Sequence, residues 1–152
     1  MTSEWSVRNL PPFGRGRPTH VITGRHDTDD ALYQAIQRVL EQSAGAWSAG
    51  KLDAFMECYE NSPDTVYLSS TQVVYGYNDI RSMYAQRLTG TEPMPPLIMA
   101  LLHVSRLGAK HALAIGRFTL GSGQPVESRS GVWSLVLHDT GAGWRIRADH
   151  TS

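Results

Sequence analysis

From Asp30 onward the apolar positions follow a three-and-four spacing. Leu32, Ala35, Ile36, Val39, Leu40, Ser43, Ala46 and Trp47 share one face of a predicted helix. Asp29 or Asp30 supplies a capping oxygen at its start, and Gly50 breaks the run. A second helix is predicted at about 51–60, with Leu52, Phe55, Met56 and Tyr59 on one face, and Pro63 in "NSPD" prevents its continuation. Two short extended runs follow, "TVYLSS" and "QVVYG". Asn78 then caps a third helix, which turns Ile80, Met83, Tyr84 and Leu88 inward and closes at Gly90.

After the proline-rich "TEPMPP" the period drops to two. "LIMALLHVSRLG", "KHALAIGRFTLGSG", "ESRSGVWSLVLHD" and "GWRIRADHTS" read as four long strands. Three helices followed by strands predict an α+β domain, with one strongly curved, mostly antiparallel sheet wrapped around the helices. In "HALAIGR" the set Ala112, Ala114, Gly116 alternates with Leu113, Ile115, Arg117, and the alternation leaves open which set faces the helices. In the last strand Trp144, Ile146, Ala148 and His150 alternate with Arg145, Arg147, Asp149 and Thr151. Regular pleating sends Asp149 and His150 to opposite faces, so they form no dyad with each other unless a bulge intervenes. His150 ends the mostly apolar face and is the acid–base candidate. Its partner must come from another strand or a helix, with His103 and His111 available.

Residues 1–29 lack a sustained period and are rich in Pro, Gly and charge, as in an N-terminal arm preceding a pocket domain at 30–152. The arm contains "RGRP", with Arg15 and Arg17, which matches the short core of a minor-groove AT-hook. The flanking lysines and arginines of such hooks are absent, so a solvated loop is expected. Fourteen basic and fourteen acidic residues give a formal net charge of zero, which opposes broad binding to nucleic acid or to an anionic membrane. Cys58 is the single cysteine, which excludes an intrachain disulfide framework and a CxxC zinc site and fits a reducing cytoplasm. No apolar run approaches the roughly 20 residues of a membrane span, and the N-terminus lacks a signal-peptide core. The scattered histidines and acids predict no metal site, and no GxSxG elbow marks a serine hydrolase.

The ordered set "WSAGKLDAF", "TVYL", "YGYNDIRSMY", "ALAIGRFTL", "GVWSLV" and "GWRIRADHTS" resembles the nuclear-transport-factor-2-like superfamily. It is nearest the SnoaL-like branch and the association domain of calcium/calmodulin-dependent protein kinase. The resemblance covers residues 31–152 and implies a cone of three helices in a curved sheet, a deep pocket, and a homodimer formed through the outer sheet face. The superfamily holds isomerases, cyclases, dehydratases and epoxide hydrolases beside proteins that only bind or assemble, so the fold alone does not select an activity.

Against ketosteroid isomerases the sequence departs at each matched position. Tyr67 and Leu68 of "TVYL" replace the acids of a "TVED"-like strand, and the oxyanion tyrosine and aspartate positions fall near Ser43 and Trp133. The association domain carries over better. Its pocket arginine falls on Arg117, its terminal "HxS" on His150 and Ser152, and its second arginine near Trp133, with Arg129 four residues earlier. The resemblance therefore implies a cofactor-free acid–base enzyme acting on a carbonyl- or carboxylate-bearing small molecule. Arg117 would stabilise negative charge, His150 would move the proton and Tyr67 or Tyr84 would donate a hydrogen bond. Trp47, Tyr59, Tyr84, His103, Arg129 and Trp133 would bind the substrate. The alternative is a non-catalytic ligand-binding or oligomerisation module. Each aromatic also has a purely structural reading as core.

Overall fold

Helices and strands follow one another in the order that the periodicity predicts. The computed structural model describes residues 29–88, 94–121 and 129–152. Helix α1 covers Asp30–Ser48, α2 Leu52–Met56 and α3 Tyr77–Ala85. Strands β1 to β6 cover Val66–Leu68, Val73–Tyr75, Leu97–Arg106, His111–Leu120, Arg129–Asp139 and Trp144–Thr151. Arg15, Arg17 and the expected stop at Gly90 lie outside the described residues.

Asp29 is the cap of α1. Its Oδ1 accepts from the Leu32 amide at 3.0 Å and its Oδ2 accepts from Arg106 at 2.8 Å, tying the helix start to the end of β3. These bonds, the Leu32 amide first, hold its carboxyl below the usual aspartate range. The inward face of α1 buries Leu32, Ile36, Leu40, Ser43, Ala46 and Trp47, as the spacing predicts. Helix α3 is capped by Gly76 (φ +85°) rather than by Asn78, which lies within the first turn.

Helix α2 stops at Met56, short of the expected end near residue 60. The following residues leave the helix because the sheet takes their backbone groups. The Ile146 amide donates to the Cys58 carbonyl at 2.7 Å, and the Glu60 amide donates to the Ile146 carbonyl at 2.9 Å. Tyr59 thus forms a parallel bridge with Ile146 instead of occupying a helix face. Local periodicity carries no information about a partner strand nearly ninety positions away.

The sheet order is β2-β1-β6-β5-β4-β3. The β1–β6 pair is parallel and the others are antiparallel. In β4 the small residues Ala112, Ala114 and Gly116 are buried and Ile115 is exposed, so the small set faces the helices. Arg117 therefore points to the outer face, opposite Ala100 and Val132. Ile98, Ile115 and Val132 are exposed on that same face.

A bulge in β6 decides the site. Val136 pairs with Ala148 but Leu137 pairs with Ile146, leaving Arg147 as an extra residue. The Arg147 guanidinium donates to Ser62 at 2.9 Å and lies 3.7 Å from Glu60 and 3.5 Å from Asp64, which fixes the extra residue against the loop after Tyr59. Beyond the bulge the phase of the strand inverts. Ile146 and Asp149 are buried, and His150 is exposed. Among the described residues no helix is long and apolar enough to cross a membrane.

Candidate functional site

The helices and the concave sheet face enclose a cavity of about 440 Å³, within the range of small-molecule sites. Every major element contributes to its wall. Helix α1 supplies Ser43 and Trp47, α2 Phe55, α3 Tyr84, β1 Tyr67, β4 Phe118, β5 Trp133, and β6 Ile146, Asp149 and Thr151. The aromatic rings meet edge to face, with centroids 4.7 Å apart for Phe55–Tyr84, 5.5 Å for Trp47–Phe55 and 5.8 Å for Tyr67–Tyr84. Such contacts hold ring orientations more tightly than aliphatic packing does. Ser69, Ser70 and Thr71 of the β1–β2 turn also line the cavity, as do the exposed Arg87 and Arg129. The Arg87 guanidinium lies 5.8 Å over the Tyr84 ring.

One carboxyl is buried in this wall. Asp149 is 5% exposed. Its Oδ2 accepts from the Tyr59 hydroxyl at 2.5 Å and its Oδ1 accepts from the Thr151 hydroxyl at 2.7 Å. The Tyr59 and Tyr84 hydroxyls are 3.2 Å apart. Since the Tyr59 proton is engaged with Asp149, Tyr84 donates in that pair, and the three groups form a directed chain, Tyr84 to Tyr59 to Asp149. Burial pushes the Asp149 carboxyl above the usual aspartate range, against the opposing hydrogen bonds from Thr151 and Tyr59. Burial, reinforced by the Asp149 charge, also raises both tyrosines well above 10, so both remain protonated donors.

The cavity brings together six of the nine residues expected from the sequence: Trp47, Tyr59, Tyr67, Tyr84, Arg129 and Trp133. Three fall on the opposite face. Arg117 points outward because β4 turns its small residues to the helices. His103 pairs with Ile115 on the outer face. His150 pairs with Ser134, and its ring lies 3.4 Å from the Ser152 hydroxyl. The register places Ile115 opposite Ser134, so His103 and His150 are three strand spacings apart, about 14 Å. His111 stacks on His138 instead, at 4.6 Å between ring centroids, and is no partner for His150. Asp149 carries no signal of its inward turn in the sequence because a one-residue bulge leaves no mark on the alternation, and Arg87 carries none because an exposed arginine after a helix has no local pattern. Among the described residues no group of three or more His, Cys, Asp or Glu side chains is placed to hold a metal ion.

A curved sheet closing on three helices around one lined cavity defines the nuclear-transport-factor-2-like class. The model of the SnoaL-like domain matches residues 36–152, and the chain belongs to that family. Solved structures agree on the fold. A nuclear-transport-factor-2-like protein of unknown function from Shewanella oneidensis is 23% identical, covering 80% of this chain and 98% of its own, with a TM-score of 0.73. A superfamily member from Salmonella enterica is 17% identical over 80% of this chain and 90% of its own, with a TM-score of 0.62. A candidate calcium/calmodulin-dependent protein kinase II association domain from Xanthomonas campestris is 18% identical over 85% of this chain and 91% of its own, also with a TM-score of 0.62. A search of curated proteins finds no match.

Proposed function

We propose that the cavity binds a planar, largely apolar carbonyl compound bearing a carboxylate and moves a proton on it without a cofactor. The observation that carries this reading is the buried Asp149 carboxyl in the cavity wall, wired to Tyr59 and Tyr84. The ionised carboxylate takes a proton from the carbon next to the substrate carbonyl. The C–H electron pair moves into the carbonyl to give an enolate, and the proton rests on Asp149. Tyr67 donates to the developing oxyanion. Return of the proton to another carbon completes an isomerisation; its transfer from Asp149 to a departing β-hydroxyl, which leaves as water while the enolate pair forms the new C=C bond, completes a dehydration. The rings of Trp47, Phe55 and Tyr84 clamp the apolar body, and Arg87 and Arg129 hold the carboxylate. His150 and Arg117 take no part, since both lie on the other face of the sheet.

A second reading has its own observation. Both Asp149 oxygens already accept a hydrogen bond, which suits a rigid binding wall as well as a base. Proton NMR in D₂O with a panel of aryl ketone carboxylates, 4-acetylbenzoate among them, separates the two. The catalytic reading predicts loss of the α-proton signal faster than in buffer, retained in His150→Ala and Arg117→Ala. Saturation transfer to the ligand without exchange selects the binding module. Absence of both across the panel contradicts the small-molecule reading.

A further inference from the structure

Beyond the bulge, β6 lines the cavity with Asp149 and Thr151. Asp149 pairs with Leu135 and Tyr67, and Thr151 pairs with Trp133, all of them in the same wall. The carboxyl oxygens of Asp149 have unlike partners. Oδ2 accepts from the Tyr59 hydroxyl, which in turn accepts from Tyr84, and both phenols are buried. Oδ1 accepts from the Thr151 hydroxyl at 2.7 Å, and Thr151 is half-buried. A proton arriving on either oxygen turns it from acceptor into donor, so the hydroxyl bonded there must turn and accept. On Oδ2, Tyr59 and Tyr84 must reverse together, and among the described residues the Tyr84 hydroxyl has no further side-chain acceptor to turn to. On Oδ1, Thr151 alone turns. A threonine hydroxyl carries one proton and two lone pairs, and it reverses by rotation about its C–O bond without moving a heavy atom.

We propose that Thr151 is the positioning residue of Asp149: its hydroxyl holds Oδ1 as the proton-accepting oxygen and reverses to accept when the proton lands there. This inference rests on the reading of Asp149 as the base, and it names the oxygen that carries the proton. The substrate C–H bond breaks, its electron pair enters the carbonyl, and the Oδ1–H bond forms. Return of the proton to carbon breaks Oδ1–H and restores the donation from Thr151. The hydroxyl also favours the charged form, because a hydrogen bond to a carboxylate is about twice as strong as one to a neutral group. The other titratable groups facing the carboxyl are Tyr59, Tyr84 on α3 and Tyr67 on β1, while β5 offers the neutral Leu135 and α1 the neutral Ser43. Arg87 and Arg129 are the cations lining the cavity, and His150 lies on the opposite face.

The test uses three variants. Thr151→Val removes the hydroxyl and keeps the branched shape, Thr151→Ser keeps the hydroxyl, and Thr151→Ala covers the case that the valine variant misfolds. The Asp149 carboxyl is titrated by ¹³C NMR without ligand, and α-proton exchange of 4-acetylbenzoate is followed against pH. Thr151→Val should raise the midpoint by about one pH unit, a unit being the tenfold that a hydrogen bond is ordinarily worth. Exchange should fall about tenfold below the wild-type midpoint and come within a few-fold of wild type on the alkaline plateau. Thr151→Ala should match the valine variant, and Thr151→Ser should keep the wild-type midpoint. The downfield hydroxyl proton of Tyr59, identified by its loss in Tyr59→Phe, should persist in wild type on both sides of the midpoint. A midpoint unmoved in the valine and alanine variants overturns the assignment, as does an equal shift in the serine variant, which would make the effect one of packing. Disappearance of the Tyr59 proton on acidification overturns the choice of Oδ1. A shifted midpoint without any exchange in wild type overturns the proton-transfer reading while keeping Thr151 as the group that holds the carboxyl.

Discussion

Asp149→Asn should lower α-proton exchange at least about a hundredfold, the low end of what a positioned general base contributes. The substitution keeps shape and polarity. An amide still accepts from the Tyr59 hydroxyl through its oxygen, and its NH₂ can donate to the Thr151 oxygen. Ligand affinity should therefore stay within a few-fold of wild type, which separates lost chemistry from lost binding. Stability should move the other way. Burial raises the folded pKa of Asp149 above its unfolded value. Its favourable contribution is then fully present below the unfolded pKa and is lost as the pH rises through the folded one. Asparagine has no charge to desolvate, so the variant should melt at or above the wild-type temperature near neutrality, and the difference should shrink on acidification. Exchange unchanged in Asp149→Asn would remove the residue from the chemistry.

The second large effect lies in β4. Gly116→Ala should destabilise the protein by about 3 kcal/mol, the upper end of ordinary overpacking, and lower its melting temperature by about 10 °C. A Cβ at this position would lie 2.1 Å from the Ala100 carbonyl oxygen on the neighbouring strand and 2.1 Å from Trp133 Cζ2. The first obstacle is backbone and cannot swing away. The second is a ring that is 2% exposed and locked in the cavity wall. Relief requires β3 and β4 to part or Trp133 to move, so ligand affinity should fall together with stability. A change under about 0.5 kcal/mol, as for an inert surface substitution, would show that this wall is looser than the packing implies.

These two positions also mark how far the sequence could be read. The helix faces were legible because burial in α1 and α3 follows the three-and-four spacing, with Ala35, Val39 and Met83 half-buried at its edges. The α+β order, the mostly antiparallel sheet and the aromatic lining from Trp47, Tyr67, Tyr84 and Trp133 were legible for the same reason: each rests on local periodicity or on the family resemblance. Tyr59 was placed in the cavity but on the wrong element, since its backbone neighbours bond to β6 instead of continuing α2. The face of Arg117 was undetermined because alternation gives two faces without saying which is inside. The small residues facing α1 settle that only once the helix is in place. The exchange of His150 for Asp149 has one physical cause, the extra residue at Arg147. It inverts every side chain after it and is held by Ser62, Glu60 and Asp64 from a distant loop. A one-residue bulge has no signature in the hydrophobic pattern of "GWRIRADHTS", yet it replaces an outward histidine with an inward carboxyl.

The proposed proton transfer depends on that carboxyl being buried, hydrogen-bonded and slow to ionise. The direct measurement is a ¹³C NMR titration of the Asp149 side-chain carboxyl in the folded protein. The midpoint should lie above the ordinary aspartate value. α-Proton exchange should rise with pH through the same midpoint. A midpoint at or below the ordinary value would mean a solvated or charge-paired carboxylate, and would contradict both the inward turn of Asp149 and the proton-transfer role built on it.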